Sequence, residues 1–282
     1  MVAGTRGRTN SHSGGGLNMV EYRHVTVPVR DGKFQVQLAE GGTGENLIFL
    51  HGEDGFTERT PFLDQLAQHF HVYAPVHPGQ GGSNGLEHLD DLWDLMVFYE
   101  ELMQQLGIDR AHAIGHSYGG MLAAELAAHR PEMVSRLVLI DSLGLWLDDS
   151  PISDFFVLTA EERAKTMWFD SECDAARAAF TEPTDPEEKM ETELARTTTL
   201  AAVGKFIWPI PDRGLTKRIH RITMPALLVW GDSDGMVSMK YAHAFQSLLP
   251  NSSLKVIEKS GHLPHEERPS EVLEAILPFL GE

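Results

Sequence analysis

The chain has 282 residues, enough for one α/β domain with an insertion or for two small domains, and its 42% apolar and 23% charged content is that of an ordinary globular protein. A formal charge of −18 repels nucleic-acid phosphates and anionic lipid, which argues against both as partners and leaves a small molecule as the expected ligand. One cysteine, Cys173, allows no intrachain disulfide and fits a reducing, cytoplasmic compartment.

The first stretch, "MVAGTRGRTNSHSGGGLNM", is rich in Gly, Ser and Arg and has no apolar run of the secretory type. Residues 1–20 are therefore expected to form a disordered leader, with folding from about Glu21. "HVTVPV", "DGK" and "FQVQLAE" then read as strand, turn and strand of a partly exposed hairpin. "NLIFLHG" is a short continuous apolar run, the pattern of a strand buried on both faces. "FLDQLAQHF" has helical spacing, and "HVYAPV" is a further strand ending in the turn "HPGQGGS".

"LDDLWDLMVFYEELMQQLG" predicts a long amphipathic helix stopped by Gly107. "AHAIGHS" is a strand, "YGGMLAAELAAHRPE" a helix and "VSRLVLIDS" a buried strand. This alternation predicts a doubly wound, mostly parallel α/β sheet with helices on both faces. The rhythm breaks over residues 145–220, which hold no clear strand but many large apolar residues, and these predict a helical insertion. "MPALLVWGD", "SMKYAHAFQSLLP", "SSLKVIEKS" and "SEVLEAILPFL" then resume the strand–helix alternation. The core is expected to comprise residues 21–144 and 221–282, with 145–220 as a cap.

Chemistry concentrates in loops that follow strands. "GHSYGG" fits Gly-x-Ser-x-Gly between a strand and a helix, which puts Ser117 Oγ on a tight turn at the C-terminal edge of the sheet. A serine alcohol is a poor nucleophile at neutral pH, so it needs a base and the base needs an orienting acid. "LLVWGDSDGMV" offers Asp234 just past a buried strand, and "EKSGHLPHEERP" offers His262 after the final strand. Asp141 and Asp232 are alternative acids, and His265 is an alternative base. His51 and His116 are expected to organise turns, and no spaced Cys/His/carboxylate cluster suggests a metal site.

From about Tyr22 onward the chain resembles the capped α/β-hydrolase superfamily of serine esterases and carboxylesterase-like enzymes. "HGEDG" resembles its oxyanion loop, "GHSYGG" its nucleophile elbow, "WGDSDGMV" its acid loop and "SGHLPHEERP" its histidine loop. "VHPGQGGS" resembles the turn after its fourth strand. The resemblance implies Ser117 as nucleophile, His262 as base and Asp234 as acid, with the backbone N–H groups of Glu53 and Tyr118 forming the oxyanion hole. The Glu53 side chain then stands near a developing negative charge, and it must either point away or find a partner. Trp146, Phe155 and Trp208 are expected in the wall of an apolar pocket under the cap.

The implied reaction is hydrolysis of a small or medium apolar ester through an acyl-enzyme, without cofactor or metal, by a monomer or homodimer. Relatives with the same triad cleave carbon–carbon bonds, thioesters, amides or lactones, and others are ligand receptors with incidental hydrolysis. "GHLPHEE" lacks the Trp that meta-cleavage hydrolases carry after the histidine, and Ser in place of Asp at the elbow disfavours dehalogenases and epoxide hydrolases.

Overall fold

A computed structural model describes residues 22–281 apart from 56–59, 182 and 211, so the expected leader at 1–20 lies outside the described residues. Strands β1 (Arg23–Val29) and β2 (Phe34–Gly41) pair antiparallel as a hairpin. In β2 the alternating Phe34, Val36 and Leu38 turn inward. The remaining strands are β3 (Asn46–Leu50), β4 (His71–Pro75), β5 (Ala111–His116), β6 (Val134–Ile140), β7 (Ala226–Gly231) and β8 (Ser252–Ile257). Together they make one eight-stranded sheet of order β1-β2-β4-β3-β5-β6-β7-β8, parallel from β4 to β8.

The helices are α1 (Pro61–Leu66), α2 (Leu92–Gln105), α3 (Ser117–His129), α4 (Ala160–Met167), α5 (Asp174–Phe180), α6 (Pro186–Ile207), α7 (Leu215–Arg218), α8 (Met239–Leu248), α9 (Pro264–Glu267) and α10 (Pro269–Leu280). Helices α2, α3 and α8 bury their apolar faces on one side of the sheet, and α1 and α10 on the other. This is the doubly wound layering that the strand–helix rhythm predicts. Among the described residues no helix is long and apolar enough to cross a membrane.

The chain leaves β3 for β4 on one side and returns to place β5 on the other. A crevice therefore opens beyond the C-terminal ends of β3 and β5, where sheets of this kind put their ligands. Helix α3 starts in that crevice and lies almost wholly buried. Glycine lets it approach the sheet: a Cβ on Gly119 would stand 2.1 Å from the Leu50 carbonyl oxygen.

Between β6 and β7 the described residues hold helices α4 to α7 and no strand. Helix α4 starts on a capping box in which Thr159 and Glu162 bond each other's backbone N–H groups, and Asp185 caps α6 by accepting from Glu187 and Glu188. Phe155, Trp168 and Phe206 are buried among these helices, and Phe155 stacks on Phe156 at 4.5 Å.

Candidate active site

Ser117 sits where β5 passes into α3, with φ at +49°, a left-handed value that a non-glycine residue holds only under tertiary constraint. The constraint is visible. Leu143 N–H donates to the Ser117 carbonyl at 3.1 Å, and Gly119 backs directly onto the end of β3. Ser117 is 0% exposed. Tyr118, next in α3, belongs to the first turn, whose N–H groups have no intrahelical acceptor.

His262 follows β8 and is also 0% exposed. Its Nδ1 lies 2.8 Å from Asp234 Oδ2. The other Asp234 oxygen accepts from Met236 N–H at 2.7 Å and Val237 N–H at 2.9 Å, so its carboxylate is fixed by three donors. Trp230 Nε1 closes the acid loop by donating to the Val237 carbonyl at 2.8 Å. Of the other candidate acids, Asp141 is wholly buried behind Asp234 and accepts from Gly231 N–H at 3.0 Å, and Asp232 pairs with Ser233 at 2.8 Å.

Burial and the facing Asp234 charge hold the Asp141 pKa far above the usual carboxylate range, so Asp141 is neutral. Burial alone pulls the His262 pKa down, but the Asp234 charge and hydrogen bond, with Glu53 and Glu267, outweigh it and raise the net value. Asp141, Asp234 and His262 present ligand atoms within 4.8 Å of one another. With Asp141 protonated and His262 Nδ1 already bonded to Asp234, that set does not present three free ligand atoms to a cation.

Two histidine-bearing turns frame the site. His116 Nε2–H donates to the His262 carbonyl at 2.8 Å and ties the elbow to the histidine loop. His51 Nδ1–H donates to the Gly52 carbonyl at 2.8 Å, and its Nε2 accepts from His77 N–H at 3.3 Å. His77 in turn bonds the His51 carbonyl at 2.9 Å and the Tyr99 hydroxyl. This network locks "HPGQGG" onto "HGEDG" and uses both turn histidines in their neutral form, with burial pushing His77 and His116 down to about 4.

Glu53 turns inward. It is 1% exposed, and its Oε1 lies 3.9 Å from His262 Nε2. Glu53 Oε1 and Oε2, Ser117 Oγ and His262 Nε2 are all buried without a hydrogen-bond partner. Burial pushes the Glu53 pKa up, but the His262 and His116 rings and the nearby Ser117 hydroxyl outweigh it, so the carboxyl is held ionised. A cavity of about 480 Å³ opens at Glu53, lined among others by Arg163, Trp168, Phe180, Arg196 and Leu263. A smaller one of about 60 Å³ opens at Gly52 and Glu53 on the Met167 side.

Ser117, Asp234, His262, Glu53 and Tyr118 are thus brought together at one edge of the sheet. The three aromatic residues expected in the pocket wall are not. Trp146 bonds Asp148 at 2.9 Å, Phe155 packs into the core, and Trp208 is 52% exposed beside an outer groove shared with Phe156 and Val157. Large apolar side chains bury wherever packing allows, and here Trp168 and Phe180 reach the inner cavity instead.

Other participants escaped sequence reasoning. The Met167 carbonyl, at the end of α4, accepts from His262 N–H at 2.6 Å, so the inserted helices help to hold the histidine loop. Glu267 accepts from Gly261 N–H at 2.6 Å, Ser260 Oγ at 3.2 Å and Phe169 N–H at 3.0 Å. Its place in "GHLPHEE" was the available signal. Asp54 pairs with the buried Arg163 across 109 residues of chain, which no local pattern reveals.

A family model described as alpha/beta hydrolase fold matches residues 45–269. The chain belongs to that family. This α/β-hydrolase is 27% identical over 257 residues to the dihydrolipoyllysine-residue acetyltransferase component of the acetoin cleaving system of Cupriavidus necator, covering 86% of its own length and 65% of that protein, just under two thirds. It is 24% identical over 254 residues to the pimeloyl-[acyl-carrier protein] methyl ester esterase of Aliivibrio fischeri, with 86% and 95% covered. It is also 27% identical over 282 residues to the 2-hydroxy-6-oxononadienedioate/2-hydroxy-6-oxononatrienedioate hydrolase of Paraburkholderia phymatum, with 92% and 96% covered.

Proposed function

We propose that this α/β-hydrolase cleaves small to medium apolar carboxylic esters through an acyl-enzyme, with Ser117 as nucleophile, His262 as general base and acid, and Asp234 as its orienting acid. The observation that carries the reading is the 2.8 Å bond from His262 Nδ1 to Asp234 Oδ2. It fixes the tautomer and leaves Nε2 of the same ring to take a proton. Ser117 Oγ attacks the ester carbonyl as His262 Nε2 accepts its proton. The backbone N–H groups of Glu53 and Tyr118 receive the oxyanion. His262 then protonates the leaving alcohol and activates the water that releases the acid. No step calls for a metal or cofactor.

Residues 145–220 act in this reading as a cap over a core of residues 21–144 and 221–282, and the cavity beside Glu53 holds the acyl or alcohol group. The substrate is a small molecule, and one chain, alone or in a homodimer, carries a complete site. The Aliivibrio relative's name supports an ester, and the Paraburkholderia relative's name supports a 2-hydroxy-6-oxo acid as the competing substrate.

A panel of p-nitrophenyl esters of increasing acyl length tests the proposal, with Ser117→Ala as the reference. Turnover by wild type of one or more esters at least 10³-fold above Ser117→Ala is expected. Turnover of none, with cleavage of a 2-hydroxy-6-oxo-dienoate instead, would replace the ester by the competing substrate. A fluorophosphonate adduct on any residue other than Ser117 would remove it as nucleophile.

A further inference from the structure

Glu53 carries a buried carboxylate facing His262 that the reaction above leaves unused, since only its backbone N–H enters it. We infer that the Glu53 carboxylate is a positioning group that pairs with His262 across Nε2 in the substrate-free enzyme, so that the imidazole is clamped between two carboxylates and its basicity is set by both. The geometry is direct. Asp234 Oδ2 stands 2.8 Å from Nδ1, and Glu53 Oε1 stands 3.9 Å from Nε2 on the opposite side of the ring. All three side chains are buried, and Glu53 has no hydrogen-bond partner that would fix its charge elsewhere.

The other titratable groups around the pair do not supply this charge. From β5, His116 faces both groups, and burial keeps it neutral down to about 4. From α9, burial and the neighbouring His116 and His262 hold His265 well below its usual range. From the loop after β6, Asp141 stands behind Asp234 and is neutral. Glu267 of α9 spends its oxygens on Gly261, Ser260 and Phe169. From α4, Arg163 feels Glu53 but is bonded to Asp54. Ser117 and Tyr118 of α3 are uncharged. Asp234 and Glu53 are therefore the carboxylates that stand against the two ring nitrogens, and Glu267 adds a smaller pull in the same direction.

The consequence is that the form of His262 with a proton on each nitrogen persists to higher pH than in a free imidazole. The Nε2 proton must pass to solvent before Ser117 can deliver its own, so the acidic limb of activity follows the His262–Glu53 pair. An opposite charge within about 4–6 Å shifts a pKa by roughly 1–3 units, and Glu53 at 3.9 Å lies at that range. The effect on turnover rests on the serine-hydrolase reading, whereas the pairing itself does not.

Histidine-selective ¹⁵N NMR titration of the full chain tests the pairing, with His262 assigned by its absence in His262→Gln. In wild type its midpoint is expected above the unperturbed value of about 6.5. In Glu53→Gln it should fall by about one pH unit or more, and Glu53→Asp should recover part of the difference. The pH of half-maximal fluorophosphonate labelling, and the acidic limb of kcat/KM where an ester is turned over, should move down with it. A wild-type midpoint at or below 6.5, which needs no variant, would overturn the inference, as would a Glu53→Gln shift under about 0.2 units. Labelling of Ser117 with an unmoved midpoint sinks the pairing alone. A moved midpoint with no labelling and no ester turnover sinks the serine-hydrolase reading alone.

Discussion

His262 divides the site into two regions built to different rules. On the Nδ1 side, the Asp234 carboxylate takes three hydrogen bonds from a loop that Trp230 fastens to the sheet. On the Nε2 side, the Glu53 carboxylate takes none; two other unpartnered polar atoms of the site, Ser117 Oγ and His262 Nε2, share this property, and Glu53 itself lines the larger cavity. A saturated carboxylate is rigid and orients its partner. An unsaturated one keeps its full electrostatic effect but is held only by packing, so an entering substrate can displace it. Orientation is thus assigned to the side away from the cavity and adjustable charge to the side facing it.

The largest expected effect comes from breaking the saturated side. Asp234→Asn keeps the size of the side chain but turns one acceptor into a donor, which forces either His262 Nδ1 or the Met236 and Val237 N–H groups into a mismatch. A fall in kcat of about 10³–10⁴-fold is expected, with circular dichroism unchanged. Steady-state kinetics on the best ester of the panel measure it, and a fall under about tenfold would mean that Asp234 does not orient the base.

Acid stability extends the contrast to the histidines themselves. His262, flanked by carboxylates, has a raised pKa, so its contribution to stability is complete below about 6.5 and is lost as pH rises through its higher folded value. His77 and His116, where burial outweighs every other influence, have folded pKa values of about 4. The unfolded chain therefore binds their protons first, and they cost nothing above pH 6.5. The penalty grows as pH falls and levels off near pH 4, at about 3 kcal/mol for each histidine. Urea unfolding between pH 7 and pH 4 should show this loss, and His77→Gln should flatten the curve.

Much of this arrangement was legible in the chain. Continuous apolar runs such as "NLIFL" and "ALLVW" marked central strands, because a strand covered on both faces has no polar side to show. Ser117, Asp234 and His262 were legible because each sits at a strand end with its own turn chemistry. The direction of the Glu53 side chain was not, because it depends on His262 and His116, far away in sequence. The pocket wall was misread at Trp146, Phe155 and Trp208 for a related reason. Aromatic content reports burial, but which face of an inserted helix meets the cavity depends on how α4, α5 and α6 dock.

Glu267 offers a smaller perturbation from behind the histidine loop. Its two oxygens accept from Gly261 and Phe169 N–H groups at 2.6 and 3.0 Å. In Glu267→Gln an amide can accept at only one of these places and sets a donor against the other N–H. Because the loop carries His262 by its backbone, a displacement of a fraction of an ångström is expected, with a roughly tenfold fall in kcat/KM. The rate of fluorophosphonate labelling should fall in parallel, and an unchanged rate would show that Met167 alone suffices to hold the loop.

The smallest effect is expected at Asp141, and it gives the sharpest test of how the saturated side works. Asp141 is as deeply buried as Asp234 and lies in the same cluster, so proximity alone would give the two equal weight. Its environment says otherwise. Burial and the Asp234 charge keep Asp141 protonated, and its Oδ1 accepts only from Gly231 N–H at 3.0 Å. A neutral carboxylic acid that accepts one bond through a single oxygen is closely matched by an amide, whose carbonyl oxygen can accept the same bond. Asp141→Asn should therefore keep the bond from Gly231 N–H, and kcat/KM should stay within about threefold of wild type, with the His262 midpoint unmoved. If Asp141→Asn instead costs as much as Asp234→Asn, the negative charge is shared between the two carboxyls, and His262 is oriented by a proton-sharing pair rather than by Asp234 alone.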